Sequence, residues 1–218
     1  MIKLMIFDLD GTLLNTIEDI SISLNKALKN YNLPTHDLNT VLKMVGNGVD
    51  LLIQRAVYPY ENLFDSVKDY YLSDYNKNCG INTKPYKGIV ETINIIKNKG
   101  IKIAVLSNKP HVDTVTVMDK YFKNIFDYVI GKKENNRIKP YSDGVIEIMD
   151  YFNIKNNNNV IFIGDSEVDV ATGKNAKIKT IACTWGFRTK EQLIGANWFV
   201  DDPKQIIDII EEENNGSN

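Results

Sequence analysis

Short, almost entirely apolar segments alternate with helical patterns along this chain, and this alternation constrains the fold more than any other feature. We predict that five apolar segments are β-strands: Leu4–Asp8, Ile101–Ser107, Tyr128–Ile130, Val160–Gly164 and Thr180–Thr184. Apolar residues at three-to-four spacing between them predict four helices: Ile89–Lys99, Val112–Tyr121, Asp143–Phe152 and Val168–Ala176. Apolar strands separated by helices are typical of a parallel sheet covered on both faces. We therefore expect an α/β fold with a doubly wound, mainly parallel, Rossmann-like sheet.

The segment after the first strand breaks this alternation. It contains no convincing strand and has four helical patterns: Thr16–Tyr31, Asp37–Val45, Val49–Val57 and Asn62–Lys77. We interpret it as an inserted all-helical cap domain over residues 16–83, with an α/β core formed by 1–15 and 84–218. The tail Glu211–Asn218 lacks apolar residues, and we expect it to be frayed.

Composition excludes several classes of function. The 218 residues carry a net charge of -2, so no basic field favours binding to nucleic acid or to an anionic membrane. The apolar runs are shorter than the ~20 residues of a membrane span, and we see no secretory signal. Cys79 and Cys183 fit no metal or redox spacing, which favours reduced thiols in a cytoplasmic protein. We read His36 and His111 as exposed, without a catalytic triad.

Polar residues follow the predicted strands at the points where those strands end. Because ligands of open parallel sheets bind beyond the carboxyl ends of the strands, we expect these residues to share one edge of the sheet. They are Asp8 and Asp10, Ser107 to Lys109, Lys139, and Asp165 with Asp169 one turn later.

Asp8 and Asp10 suggest a metal site. Alternation along a strand places both side chains on the same side, where like charges repel unless a cation lies beside them. Magnesium prefers such oxygen ligands. A D-x-D-G segment alone fits a polar strand end followed by a turn as well as it fits a metal site. Each of the other groups also has a plain structural reading. Ser107 and Asn108 could shape a turn, and Lys139 could be a surface lysine. Gly164–Ser166 could be a turn with a helix cap, and Asp169 could be a first-turn carboxylate that interacts with the helix dipole.

Four motifs together resemble the phosphatase branch of the haloacid dehalogenase superfamily, in its form with a helical cap. The motifs are D-L-D-G-T-L at Asp8–Leu13, L-S-N-K at Leu106–Lys109, K-P at Lys139-Pro140 and G-D-S-x-x-D at Gly164–Asp169. The resemblance implies Asp8 as nucleophile and Asp10 as general acid and base. It further implies phosphate binding by Ser107 and Lys139 and metal binding by Asp165. From the residues themselves we add Asn108 as a phosphate ligand, Asp8, Asp10 and a backbone carbonyl as Mg²⁺ ligands, and supporting positions for Thr12, Ser166 and Asp169.

Further segments resemble the phosphoglycolate phosphatase group: Val45–Asp50, Thr184–Arg188 and Gly195–Asn197. We interpret Gly46, Asn47 and Gly48 as a substrate-specificity loop, with a plain turn between helices as the alternative. Asn15 and Ser142 depart from the residues usual in the family, at positions outside the proposed chemistry.

The expected function is that of a Mg²⁺-dependent phosphomonoester hydrolase with a phospho-aspartyl intermediate, acting on a small phosphorylated metabolite, with 2-phosphoglycolate as the leading candidate. A β-phosphoglucomutase-like phosphomutase, or a pyrophosphatase or nucleotidase of the same fold, are alternatives. A signalling receiver domain that is phosphorylated on aspartate is a non-enzymatic alternative, although the inserted helices and Asp10 argue against it. We expect a monomer or homodimer.

Overall fold

The computed structural model describes residues 1–134 and 137–216. Its strands are β1 (Leu4–Phe7), β2 (Leu14–Asn15), β3 (Lys84–Pro85), β4 (Lys102–Pro110), β5 (Tyr128–Lys132), β6 (Val160–Gly164), β7 (Lys179–Cys183) and β8 (Trp198–Val200). Its α-helices are α1 (Ile17–Asn30), α2 (Leu38–Met44), α3 (Val49–Val57), α4 (Phe64–Asn78), α5 (Ile89–Asn98), α6 (His111–Tyr121), α7 (Asp143–Tyr151), α8 (Glu167–Ala176) and α9 (Gln205–Asn215).

Within the described ranges, six strands form one parallel sheet in the order β5-β4-β1-β6-β7-β8. Side chains of β1 alternate between the two faces of this sheet. Met5 and Phe7 belong to one hydrophobic cluster, whereas Leu4 and Ile6 belong to another. Because both faces are buried, the central strands β1 and β6 are apolar along their whole length, which is the pattern seen in the sequence.

Strand β1 lies between β4 and β6, at the place where the order of strands reverses direction. The chain runs from β1 outward through β4 to β5, and then crosses to β6 on the other side of β1. A crevice forms beyond the carboxyl ends of the strands at such a switch point. The residues that follow β1 therefore lie at the mouth of this crevice.

Helices α1 to α4 form the cap, and the short strands β2 and β3 connect it to the core. These two strands pair antiparallel, with Leu14 opposite Pro85 and Asn15 opposite Lys84. They lie close to the predicted limits of the cap, residues 16 and 83, and that division of the chain stays a prediction. No helix in residues 1–134 or 137–216 is long and apolar enough to cross a bilayer.

The fold class expected from the sequence is confirmed, and the predicted strands and helices are present with ends shifted by at most three residues. The frayed tail is a wrong prediction: α9 extends to Asn215, while residues 217–218 lie outside the described ranges. The two histidines are half-buried rather than exposed. His36 Nε2 lies 2.9 Å from the Ala56 carbonyl, and His111 Nδ1 accepts from the Gly131 N–H at 3.2 Å. Both cysteines are free and buried, as expected.

Candidate active site

A cavity of about 50 Å³ lies between the carboxyl end of the sheet and the cap. The core contributes most of the predicted site residues to its lining: Asp8, Asp10, Ser107, Asn108 and Lys139, together with Lys109 and Asp113. From the cap, it is lined by Val45, Gly46, Gly48, Val49, Leu52, Tyr71 and Tyr75, with Ile20 from α1. The strand-end positions therefore meet at one edge of the sheet, as their places in the sequence predicted.

Asp8, Asp165 and Asp169 form a buried carboxylate cluster, with one oxygen from each lying within 4.8 Å of the others. Lys139 Nζ lies 2.7 Å from Asp8 Oδ1 and 2.6 Å from Asp169 Oδ1. Burial and then the Asp169 charge raise the pKa of Asp8, and the same causes raise the pKa of Asp165 to about 7. Burial lowers the pKa of Lys139, but the two carboxylate charges outweigh it and the pKa rises.

Neighbouring groups hold Asp165 in place. Its Oδ1 accepts from the Thr12 hydroxyl at 2.8 Å, and its Oδ2 accepts from the Phe187 N–H, also at 2.8 Å. Gly11 lies against this carboxylate with φ +90°, and a Cβ there would lie 2.1 Å from Asp165 Oδ2. The glycine of the D-L-D-G segment is therefore required both by its backbone conformation and by this close approach.

Asp169 supports the cluster from the first turn of α8. Its Oδ2 accepts from the Ser166 N–H at 3.0 Å and from the Ser166 hydroxyl at 2.6 Å, while its own N–H is bonded back to the Ser166 side chain. Asp169 therefore lies in the first turn of α8, as its helix-dipole interpretation requires, and it also completes a capping box with Ser166. The capping box operates together with the ion pair to Lys139, so the same carboxylate fixes both the helix and the lysine.

The Asp10 carboxylate lies outside the cluster. Strand β1 ends at Phe7, so the alternation that placed Asp8 and Asp10 on the same side no longer applies at Asp10. Asp10 Oδ1 lies 3.0 Å from Lys109 Nζ, in an ion pair whose angles are not those of a hydrogen bond. The carboxylates that meet in the cluster are thus those of Asp8, Asp165 and Asp169, and the predicted metal contact of Asp10 stays a prediction.

Asn108 connects the core to the predicted specificity loop. Its side-chain amide donates to the Lys139 carbonyl at 3.0 Å and to the Gly46 carbonyl at 3.2 Å, and its Oδ1 accepts from the Lys139 N–H at 2.8 Å. Asn47 points elsewhere and accepts from Arg55 at 3.0 Å. The Asn108 side chain therefore positions Lys139 and the loop, and its predicted phosphate contact stays a prediction.

The carboxylate cluster fits a bound Mg²⁺. Three carboxylates and one lysine leave two negative charges in excess when all are ionised, which is the charge of one divalent cation. The oxygen donors are those that Mg²⁺ prefers. All three carboxylates have protein partners. Asp8 and Asp165 are the two members of the cluster that the sequence predicts as metal ligands, and they would hold the ion.

Comparisons with known proteins identify the family. The chain matches the sequence model of the haloacid dehalogenase-like hydrolases over residues 5–183. It belongs to this family. The predicted family and the predicted enzyme class, a hydrolase similar to phosphoglycolate phosphatases, are confirmed.

Relatives of this haloacid dehalogenase-like hydrolase match nearly its whole length. Phosphoglycolate phosphatase of Haemophilus influenzae is 30% identical over 220 residues, which cover 95% of this chain and 98% of that protein. The Aquifex aeolicus phosphoglycolate phosphatase is 29% identical over 186 residues, with 85% and 86% covered. The crystal structure of a predicted phosphoglycolate phosphatase from Haemophilus somnus has a TM-score of 0.89 and 29% identity, covering 96% of this chain and 98% of that chain. The similarity thus includes the cap.

Sequence reasoning assigned no role to two groups of the hydrolase that the structure brings to the site. Lys109 is 7% exposed and lines the cavity beside Asp10. Arg188, from the segment after β7, reaches the cap and donates to the Leu42 and Val45 carbonyls. A signal existed for Lys109, since it directly follows two polar residues at a strand end. Arg188 ends the segment Thr184–Arg188, which resembles the phosphoglycolate phosphatase group, but that resemblance did not indicate its contacts with cap carbonyls about 145 positions away in the chain.

Proposed function

We propose that this hydrolase removes the phosphoryl group of a small phosphorylated metabolite through a phospho-aspartyl intermediate, with Mg²⁺ as its cofactor. The separation of Asp8 from Asp10 carries the proposal. Asp8 lies in the cluster beside Lys139, whereas the Asp10 carboxylate lines the same cavity outside the cluster. One carboxylate can therefore react with phosphorus while the other reaches the ester oxygen.

In the first step, a carboxylate oxygen of Asp8 bonds to phosphorus as the bond from phosphorus to the ester oxygen breaks. Asp10, in its protonated form, donates a proton to the departing oxygen, which leaves as an alcohol. In the second step, Asp10 takes a proton from a water molecule that attacks the phosphorus of the acyl phosphate. The bond to Asp8 breaks, inorganic phosphate leaves, and both aspartates return to their starting states.

Three other groups support these steps. Lys139 and the Ser107 hydroxyl hold the phosphoryl oxygens, since preorganised donors stabilise charge that develops during transfer. Asp8 and Asp165 would hold a Mg²⁺ ion, which would supply positive charge to shield the negative phosphate from the attacking carboxylate. Thr12, Ser166 and Asp169 keep the Asp165 and Lys139 side chains in position.

The proposed substrate is 2-phosphoglycolate. Its support is the similarity to proteins of that activity in Haemophilus influenzae and Aquifex aeolicus, together with the size of the cavity. The volume of about 50 Å³ suits a small metabolite, because pockets for drug-sized ligands hold roughly 300–1,000 Å³. The free thiols support a cytoplasmic location for the enzyme. A monomer or homodimer stays a prediction.

A phosphate-release screen with and without chelator tests the proposal. We expect release that requires Mg²⁺ and is fastest with 2-phosphoglycolate among phosphate esters, pyrophosphate and nucleotide monophosphates. Another best substrate would reject 2-phosphoglycolate alone. Phosphate moved between two positions of a sugar would indicate a mutase, and a phosphoprotein stable for minutes would indicate a receiver domain.

The variant Asp8→Asn tests the nucleophile. Asparagine keeps the shape of the side chain but cannot form the acyl phosphate, so turnover should fall at least about 10⁴-fold. Because the substitution removes one charge from a crowded cluster, the melting temperature without metal should be no lower than that of the wild type. A retained rate would remove Asp8 from its proposed role.

A further inference from the structure

Lys109 is a buried cation that the proposed steps do not use. It follows Ser107 and Asn108 at the end of β4, its side chain is 5% exposed, and it lines the cavity. Burial lowers the pKa of Lys109, but the Asp10 charge outweighs burial and raises it, so the side chain is positively charged at neutral pH. Buried lysines are rare unless paired, and Asp10 pairs with this one inside the cavity.

The polar groups around Lys109 are incompletely satisfied. Its ion pair with Asp10 lacks the angles of a hydrogen bond, and Asp10 Oδ1 has no hydrogen-bond partner in the described part of the chain. The Tyr75 ring lies below the ammonium, with Nζ 4.6 Å from its centroid. The Tyr75 hydroxyl is buried and also has no hydrogen-bond partner there. Buried polar groups are almost always bonded, so this set is suited to a ligand that both Lys109 and Tyr75 can contact.

The position of Lys109 in the cavity indicates which part of the substrate it meets. Lys139 lies beside the nucleophile Asp8, where the phosphoryl group is held. Lys109 lies beside Asp10, which protonates the oxygen of the leaving group. The second lysine is therefore on the side of the leaving group, next to the cap residue Tyr75.

We propose that Lys109, with the hydroxyl of Tyr75, binds a carboxylate carried by the leaving group and so selects acidic phosphate esters. This inference rests on the proposed function and names the recognition element of the same site. In 2-phosphoglycolate the carboxylate is one methylene away from the ester oxygen, so it stays close to the group that Asp10 contacts. One carboxylate oxygen accepts from Lys109 and the other accepts from Tyr75. Lys109 then exchanges its imperfect pairing with Asp10 for a charge-assisted hydrogen bond.

The variant Lys109→Met tests this recognition, because methionine keeps most of the packing over Tyr75 and removes the charge. Two substrates are compared: 2-phosphoglycolate and ethyl phosphate, in which a methyl group replaces the carboxylate. We expect the preference for 2-phosphoglycolate, measured as the ratio of the two kcat/KM values, to fall at least about 30-fold. Differences in leaving-group reactivity cancel, since each substrate is compared between variant and wild type.

Two further variants make the result specific. Lys109→Arg keeps the charge and should retain the preference to within about 10-fold. Lys204→Met removes an exposed lysine from the region before α9 and should leave the ratio unchanged. An equal fall in kcat/KM for both substrates would overturn the proposal, because Lys109 would then act only through Asp10. Unchanged kcat/KM values for both substrates would also overturn it, because Lys109 would then have no part in the reaction.

Two safeguards keep the test decisive. If Lys109→Met fails to fold, Tyr75→Phe removes one hydroxyl and should lower the same ratio about 5-fold, and an unchanged ratio would contradict the proposal.

Calorimetric binding of both esters to the Mg²⁺-loaded Asp8→Asn protein, with and without Lys109→Met, does not depend on turnover. If the wild type hydrolyses no ester, the proposed function fails, while a loss of binding confined to 2-phosphoglycolate would still support Lys109.

Discussion

The Asp165 carboxyl group lies in a cluster that holds more negative than positive charge. Its pKa rises from the usual 3.8 to about 7 through burial and the Asp169 charge. A carboxyl group with a raised folded pKa stabilises the folded state fully at pH values below its unfolded pKa, and that stabilisation is lost as the pH rises through the folded value. We therefore expect this group to lower the unfolding free energy of the metal-free protein by roughly 2–3 kcal/mol between about pH 5 and about pH 8.

Urea unfolding in chelator at both pH values, for wild type and Asp165→Asn, measures this contribution. The wild type should lose more stability than the variant as the pH rises, since the variant carries no titrating group there. Adding Mg²⁺ at the higher pH should restore about 2–3 kcal/mol to the wild type at saturating concentration and much less to the variant. Parallel pH profiles for the two proteins would contradict the assignment, and Asp202→Asn, at an exposed position, serves as the control.

Single residues also show where sequence reasoning ends. The strand-end rule brought Asp8, Ser107 and Lys139 to one cavity because it follows from the geometry of parallel sheets. It could not give the direction of Asp10, which lies beyond the last residue of β1. It also gave no reason to pair Asp10 with Lys109, since the two are 99 positions apart and meet only through the fold.

At the scale of elements, Asp19 connects helix α1 to the segment that leads back from the cap to the core. Its carboxylate is 3% exposed and accepts hydrogen bonds from Gly80, Asn82 and Thr83. Burial acts to raise its pKa, but the hydrogen bonds outweigh burial and the pKa is lowered. We expect Asp19→Ala to lower the unfolding free energy at pH 7 by about 2–4 kcal/mol, because several buried donors lose their acceptor.

The lowered pKa of Asp19 also predicts how the effect of Asp19→Ala on the unfolding free energy changes with pH. A lowered folded pKa stabilises the protein above the unfolded pKa of about 4, and the stabilisation is lost as the pH falls through the folded value. The difference between wild type and Asp19→Ala in urea unfolding should therefore shrink on going from pH 7 to about pH 3. Asp208→Ala, on α9, is the matched control, and a constant difference across pH would show that the carboxylate charge is not involved.

Elements with a strong apolar pattern were predictable, whereas short or polar ones were not. Strand β8 has three residues and lies at the edge of the sheet, so its sequence carries little periodic signal. The last turns of α9 lack apolar residues and are held by side chains instead. Asn214 Oδ1 accepts from the Ile2 N–H at 2.7 Å, and Glu211 pairs with Lys99 at 2.7 Å. Such partners lie far away in the chain, which is why a frayed tail was the natural expectation.

At the scale of the whole molecule, Arg188 connects the core to the cap across the site. Its guanidinium is buried and donates to the Leu42 carbonyl at 3.0 Å and to the Val45 carbonyl at 2.6 Å, while Nε lies 3.1 Å from Glu167. The preceding residue, Phe187, donates its N–H to Asp165. One short segment therefore contacts both the proposed metal-binding carboxylate and the loop at the end of α2.

We expect Arg188→Ala to loosen the cap without disrupting the sheet, because the sheet has its own core and the two carbonyls lose their donor. The unfolding free energy should fall by about 1–3 kcal/mol. Amide hydrogen exchange should become faster over residues 42–48. Exchange in β1 and β6 should become faster only by the factor that corresponds to the loss of global unfolding free energy. Arg137→Ala, which removes an exposed ion pair to Asp143, should cost less than about 1 kcal/mol and leave the loop unaffected. If exchange rises uniformly across cap and core in Arg188→Ala, this arginine contributes to overall stability and does not specifically connect the two.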